Sequence, residues 1–359
     1  MRAIRYHGRL DVRLEEIPEP VCGVGEVKIR PSFVGICGTD LHEYLAGPYF
    51  APQTPHPVTG DVMPITLGHE FSGIVEEVGE DVNESREKEG LLLKKGDRVT
   101  IKPTVFCGKC EACGRGLENC CSKGGFVGLS GGGGGMSEHV VLPSSYVVKL
   151  PDNVSLEVGA LAEPLAVAWH AVDASPLHST SSVLVLGGGP IGLAVLQSVK
   201  ARGAKKIIVS EIAPARQSLA KKYGAHHVLD PRTYDLVAIS KQLCGGEGPD
   251  IVFDCAGVPA SLVTACTAAK ARGTVVNVAM WEQEVPFNPN MLVFYEKTYV
   301  AVLGYLKKDF DYVMEALASG ILNPEAMITR KIQMAEVVEK GFKALIAEKD
   351  KYVKILVEV

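Results

Sequence analysis

No stretch of this 359-residue chain is apolar for long enough to span a bilayer, and its first residues, MRAIRYHGRLDVRLEE, meet charge too often to hold a signal-peptide core. Lys and Arg form no stripe: 37 basic residues stand against 42 acidic ones, for a net charge of -5. Nucleic acid and anionic membranes are therefore not expected partners. No internal repeat is evident, and the only low-complexity segment, SGGGGG at 130–135, reads as a flexible or close-approach loop. These absences leave a cytoplasmic globular protein that handles small molecules. The length exceeds what one hydrophobic core usually holds, so two domains are expected. In a reducing compartment the ten cysteines do not suggest a disulfide framework, and tight cysteine spacing reads instead as metal binding or catalysis.

Up to about residue 150 the chain carries short β-like runs such as EVKIRPSFV and GIVEEVG, punctuated by Gly and Pro. From about 156 to 290 the rhythm changes to apolar strand, glycine turn and helix, in SVLVLGGGPIGLAVLQSVKARGAKKIIVSEI and then HHVLD, DIVFDCAG and GTVVNVAM. That alternation predicts a parallel, doubly wound sheet with helices on both faces. The final residues carry helical patterns, DFDYVMEALASG and VVEKGFKALIAE, and end on the strand-like YVKILVEV. The last run is expected to return to the first domain's sheet. The fold class is thus α/β, with a discontinuous β-rich domain over 1–155 and 291–359 and a Rossmann cofactor domain over 156–290.

Gly187-Gly188-Gly189-Pro190-Ile191-Gly192 follows the strand SVLVL and opens a helix, fitting G-x-G-x-x-G in the context that gives the motif meaning. Gly187 permits the tight turn, Gly189 lets backbone N–H groups approach a pyrophosphate, and Gly192 allows close packing of helix on strand. Glu211, at the end of KKIIVSE, stands where an acid can accept hydrogen bonds from ribose hydroxyls and repel a 2′-phosphate. NAD is favoured over NADP, a preference tempered by nearby Arg216.

In CGKCEACGRGLENCC, Cys107, Cys110 and Cys113 are spaced by two residues each, and Cys120 or Cys121 would complete a shell of four sulfurs. A closed shell leaves no place for substrate, so this zinc is structural, within a lobe at about 103–124. A second site needs distant residues. Cys37 in GICGTDLHEY and His69 with Glu70 in LGHEFSG form a mixed donor set that suits zinc and can leave one position open. Taken singly, each would read as an ordinary core or surface residue.

In order and interval, the motifs GICGTDLHEY, LGHE, CGKCEACGRGLENCC, AEPLAVAWHA and GGGPIG resemble those of the zinc-dependent medium-chain alcohol and polyol dehydrogenases over essentially the whole chain. DLHEYLAGP, GFVGL and VSEIA are most similar to the 2,3-butanediol dehydrogenase branch, with sorbitol-type polyol and threonine-type dehydrogenases as the alternative. The resemblance implies a GroES-like catalytic domain and two zincs per chain. Cys37 and His69 become ligands of the catalytic zinc, and Glu70 and Glu163 the carboxylates that reach it directly or through water. Classical members have cysteine where this chain has Glu163. The family spacing selects Cys121 over Cys120 as the fourth structural ligand. It also implies that Thr39 accepts the substrate proton, that His42 ends the relay, and that Val278 and Ala279 lie beside the nicotinamide carboxamide. A homodimer or homotetramer is implied as well, with KTYVAVLGY at 297–305 as an edge for pairing. The proline-rich AGPYFAPQTPHPVTGDVMP is expected to wall the substrate pocket, and His56 within it is not expected to be a ligand.

Overall fold

The run EVKIRPSFVG becomes the strand Glu26–Gly35, on which the first of two units is assembled. In the computed structural model, which describes residues 1–87, 91–281 and 283–359, this unit comprises Met1–Glu163, Leu306–Ala318 and Ile328–Val359. Its main sheet runs Val147–Lys149, Arg98–Ile101, Glu70–Val78, Glu26–Gly35, Lys354–Glu358 and Ile328–Gln333, with Val140–Pro143 also pairing with Glu26–Gly35. Val27, Ile29, Val34, Phe71, Val75, Ile355 and Val357 are buried between its faces. Burial of such side chains stabilises by roughly 1.5–3 kcal/mol each. Residues 354–358 thus return to the first domain's sheet, antiparallel to Glu26–Gly35.

Register decides what comes together at the sheet's centre. Gly35 lies opposite Glu70 on one side and opposite Leu356 on the other. A Cβ on Gly35 would fall 2.2 Å from Glu70 Oε2, so only glycine leaves room for that carboxylate. The pattern VVEKGFKALIAE forms a π-helical turn over Val337–Phe342 that continues as the helix Lys343–Ala347. Phe342 meets Tyr44 edge-on at 5.3 Å, which seats the helix Gly38–Ala46.

The second unit, Pro164–Tyr305 with Ser319–Met327, holds a six-stranded parallel sheet. Its strand order is His227–Leu229, Lys206–Ser210, Ser182–Leu186, Ile251–Asp254, Thr274–Asn277 and Thr298–Ala301. The first strand in sequence lies inside the sheet and the order reverses beside it, as a doubly wound dinucleotide fold requires. The boundary differs from the expected 290/291. Thr298–Ala301 extends this sheet, and among the described residues of the link before it the one helix is the four-residue Asn290–Val293. Without a full amphipathic helix, the strand-helix rhythm is invisible there in sequence. At the other end the first unit keeps residues to 163 rather than 155. Thr100 Oγ1 donates to Gly159 O at 2.9 Å, binding that segment to the first sheet. No helix among the described residues is long and apolar enough to cross a membrane.

Candidate functional site

The strand Glu26–Gly35 runs directly into Cys37, the N-cap of the helix Gly38–Ala46. Asp40 caps this helix, its Oδ2 accepting from Cys37 N at 2.9 Å. The neighbouring strand begins at Glu70, so its register delivers His69 and Glu70 to the same place. Cys37, His69 and Glu70 each offer a ligand atom within 4.8 Å of the others. His69 Nδ1 faces Asp40 Oδ1 at 3.6 Å, and neither atom has a hydrogen-bond partner although both are buried. Asp40 thus stands beside the His69 ring, where a carboxylate can orient an imidazole for a metal. Burial disfavours charge on His69, but Asp40 and Cys37 outweigh it and hold its pKa well above the ordinary value. A buried imidazole among a thiol and several carboxylates is an environment that calls for a cation.

Two further ionisable groups complete this pocket. Glu163, in the first turn of the helix Ala162–Asp173, is buried. Burial first, and then the Glu70 charge, push its carboxyl up to about 7 against the opposing pull of His69. It stands near His69 and Glu70 but outside the three-residue group of close ligand atoms. Lys354 was not foreseen from sequence. It is 1% exposed and pairs with Glu70. Burial opposes its charge, while Glu70 and Cys37 outweigh that and raise its pKa. A signal existed: Lys354 sits in a run whose residues from Val353 to Val357 are all buried, where an unpaired lysine is not tolerated. Asp40 was also missed, although GICGTDLHEY contains it.

Thr39 and His42 lie on the same helix, three residues apart and hence on one face. Thr39 Oγ1 is 3.6 Å from Cys37 Sγ, and His42 is half-buried. The proline-rich segment that follows is pinned at several points. Glu43 accepts from Tyr49 N at 3.0 Å, Thr59 Oγ1 donates to Ser130 O at 2.9 Å, and Gly132 N donates to Asp61 Oδ2 at 2.6 Å. His56 is an anchor of this loop: its Nδ1 accepts from Thr59 N at 3.2 Å. The glycine run 131–135 is a close-approach element, since a Cβ on Gly135 would fall 2.4 Å from the Phe71 ring.

Cys107, Cys110, Cys113 and Cys121 form a second group of close ligand atoms, and Cys120 is exposed outside it. Cys107 N and Lys123 N point at Cys121 Sγ from 3.3 and 3.4 Å. Backbone N–H groups draw Cys110 down to about 6, while burial and the neighbouring thiols push Cys113 up to about 12. Four sulfurs this close cannot all ionise without a cation, and a tetrahedral zinc fits the donor set.

In the second unit, Gly187 takes φ +91° to turn from strand to helix. A Cβ on Gly192 would fall 1.8 Å from Gly187 O, so glycine is obligatory there. Gly189 caps the helix Pro190–Ala201, with Pro190 in its first turn and Ile191 beside it. Glu211 is fixed by three backbone donors: Gly188 N at 2.7 Å, Ile212 N at 2.7 Å and Ala213 N at 2.8 Å. A carboxylate has about four acceptor positions, so one remains for a ribose hydroxyl. The Arg216 guanidinium lies near Gly189. Val278 and Ala279 lie just past the strand Thr274–Asn277, their N–H groups donating to Asp254 O at 2.9 and 3.1 Å.

A four-thiol group, a separate thiol-imidazole-carboxylate group and a dinucleotide turn on a doubly wound sheet define a zinc-binding dehydrogenase, and the chain belongs to that family. Residues 23–152 match the alcohol dehydrogenase GroES-like domain and residues 190–319 the zinc-binding dehydrogenase domain. Among its relatives, the (R,R)-butanediol dehydrogenase of Bacillus subtilis is 42% identical over 358 residues, covering 99% of each chain. That of Saccharomyces cerevisiae is 38% identical over 381 residues, covering 99% of this chain and 97% of its own. The crystal structure of 2R,3R-butanediol dehydrogenase from Bacillus subtilis superposes with a TM-score of 0.91 at 41% identity, covering 100% of this chain and 99% of the other.

Proposed function

We propose that the protein uses NAD and zinc to interconvert a secondary alcohol or vicinal diol and a ketone, with 2,3-butanediol and acetoin or diacetyl as substrates. The observation that carries this reading is the Cys37, His69 and Glu70 group at the N-terminus of the helix that bears Thr39 and His42. The full-length similarity to butanediol dehydrogenases supports the substrate. Cys37, His69 and a carboxylate from Glu70 or Glu163 would hold zinc, which when bound would supply Lewis acidity toward the substrate hydroxyl, and nicotinamide would supply the hydride acceptor. Thr39 accepts the hydroxyl proton, and His42, one turn further on, ends its path to solvent, a role suited to imidazole. Asp40 holds the His69 ring in place. Glu211 accepts from the adenosine ribose, and the N–H groups of the Gly187–Gly192 turn face the pyrophosphate. The loop pinned by Glu43 and His56 walls the substrate.

A substrate panel tests this. NADH formation with (R,R)-2,3-butanediol and NADH consumption with acetoin should exceed the rates with sorbitol or threonine, NAD should outperform NADP, and metal analysis should find two zincs per chain. A preference for sorbitol or threonine would reassign the substrate, and one zinc per chain would remove the catalytic centre.

The protein acts in the cytoplasm as a homo-oligomer in this reading. Thr298–Ala301 is an edge strand, and Val293, Phe294, Tyr295 and Leu303 nearby are exposed apolar side chains. Sedimentation at assay concentration should give a dimer or tetramer; a monomer would discard this assignment.

A further inference from the structure

Lys354 carries a charge in the core of the first unit and has no part in the chemistry described above. Its ammonium donates to both oxygens of Glu70, at 2.9 and 2.6 Å, and to the Ile36 carbonyl at 3.1 Å. All three of its N–H bonds are thereby used. The sheet enforces this meeting, because Lys354–Glu358 and the strand starting at Glu70 flank Glu26–Gly35 on opposite sides. The missing side chain of Gly35 opens the space in which the carboxylate lies.

We propose that Lys354 is a positioning residue that competes with the metal for the Glu70 carboxylate and so sets how tightly the centre holds its ion. This rests on the metal-centre reading given above. A carboxylate bound through both oxygens to a buried ammonium is a weaker ligand than a free one, so a metal that draws on Glu70 must loosen that pair. Before a metal arrives, Lys354 keeps Glu70 compensated and the pocket folded. While Lys354 holds Glu70, Glu163 is the carboxylate left to the metal. The arrangement is a coupling between an ion pair and a metal site, and such couplings are reciprocal.

The test uses full-length protein that keeps zinc on its four cysteines. The more labile ion is removed with a mild chelator and cobalt(II) is titrated back, with affinity and visible absorption as readouts. In Lys354→Met the freed carboxylate should bind cobalt about tenfold tighter and alter the absorption bands, and cobalt should raise Tm by more than it does in the wild type. In a Glu70→Gln background the same substitution should change neither affinity nor bands, which separates competition for Glu70 from simple repulsion between two cations. Lys354→Arg, whose fork grips a carboxylate more firmly, should weaken cobalt binding several-fold and provides a charge-retaining variant if the methionine protein does not fold. Unchanged or weaker affinity in Lys354→Met, an effect that persists without Glu70, or wild-type affinity in Lys354→Arg would overturn the proposal. If the wild type, with zinc still on its four cysteines, took up no equivalent of cobalt, the metal-centre reading itself would fall, and this inference with it.

Discussion

Cys37→Ser should leave a folded protein that binds NAD and turns over almost no substrate. The thiolate is the softest donor of the Cys37, His69 and Glu70 group, and a serine hydroxyl, protonated at neutral pH, does not replace it on zinc. Loss of a Lewis acid worth several kcal/mol to the transition state corresponds to about a thousandfold or more in kcat. Cofactor binding should persist, because the glycine turn and Glu211 belong to the other compact unit. The fold should persist as well, since the Asp40 carboxylate holds the backbone N–H of residue 37, a contact that serine keeps, and serine is itself a good helix N-cap. Metal analysis, NADH fluorescence titration and steady-state kinetics on one preparation separate these effects. Wild-type kcat with two zincs retained would sink the assignment of Cys37.

Replacing Cys121 by serine should have an equally large effect on a different quantity, stability. Cys121 shares the four-sulfur group and accepts two backbone N–H bonds, whereas Cys120 is exposed outside it. Loss of one ligand from a closed zinc shell removes several kcal/mol of folding free energy, which lowers Tm by about 10 °C for a unit of this size. The variant should contain one zinc. Cys120→Ser should retain two zincs and the wild-type Tm, and the opposite pattern would reverse the register of the fourth ligand. Calorimetry with parallel metal analysis reads both outcomes.

The two groups differed in how visible they were. The four sulfurs fall within fifteen positions of one another, so spacing alone announces them; short-range geometry restricts what such a loop can do. Cys37 and His69 are separated by the helix Gly38–Ala46, a long loop and a two-residue strand, and no spacing ties the two segments; only their donor chemistry, and then the resemblance, joined them. Asp40 was hidden because a capping aspartate is common, and its second contact, to His69, requires the sheet. The end of the Rossmann unit was hidden because its last strand follows only a four-residue helix.

The sequence by itself determined the α/β class, the cofactor turn with its acid, the cysteine staple and the motif order of a dinucleotide-dependent zinc dehydrogenase. These are legible because each depends on local periodicity or spacing. Only the tertiary structure decided which charges share the buried centre. Residues 36, 70 and 354 meet because three strands, two antiparallel pairs in adjacent register, end at one place. The cost of burying a charge is settled by neighbours brought from 284 residues away, and no local pattern records that distance.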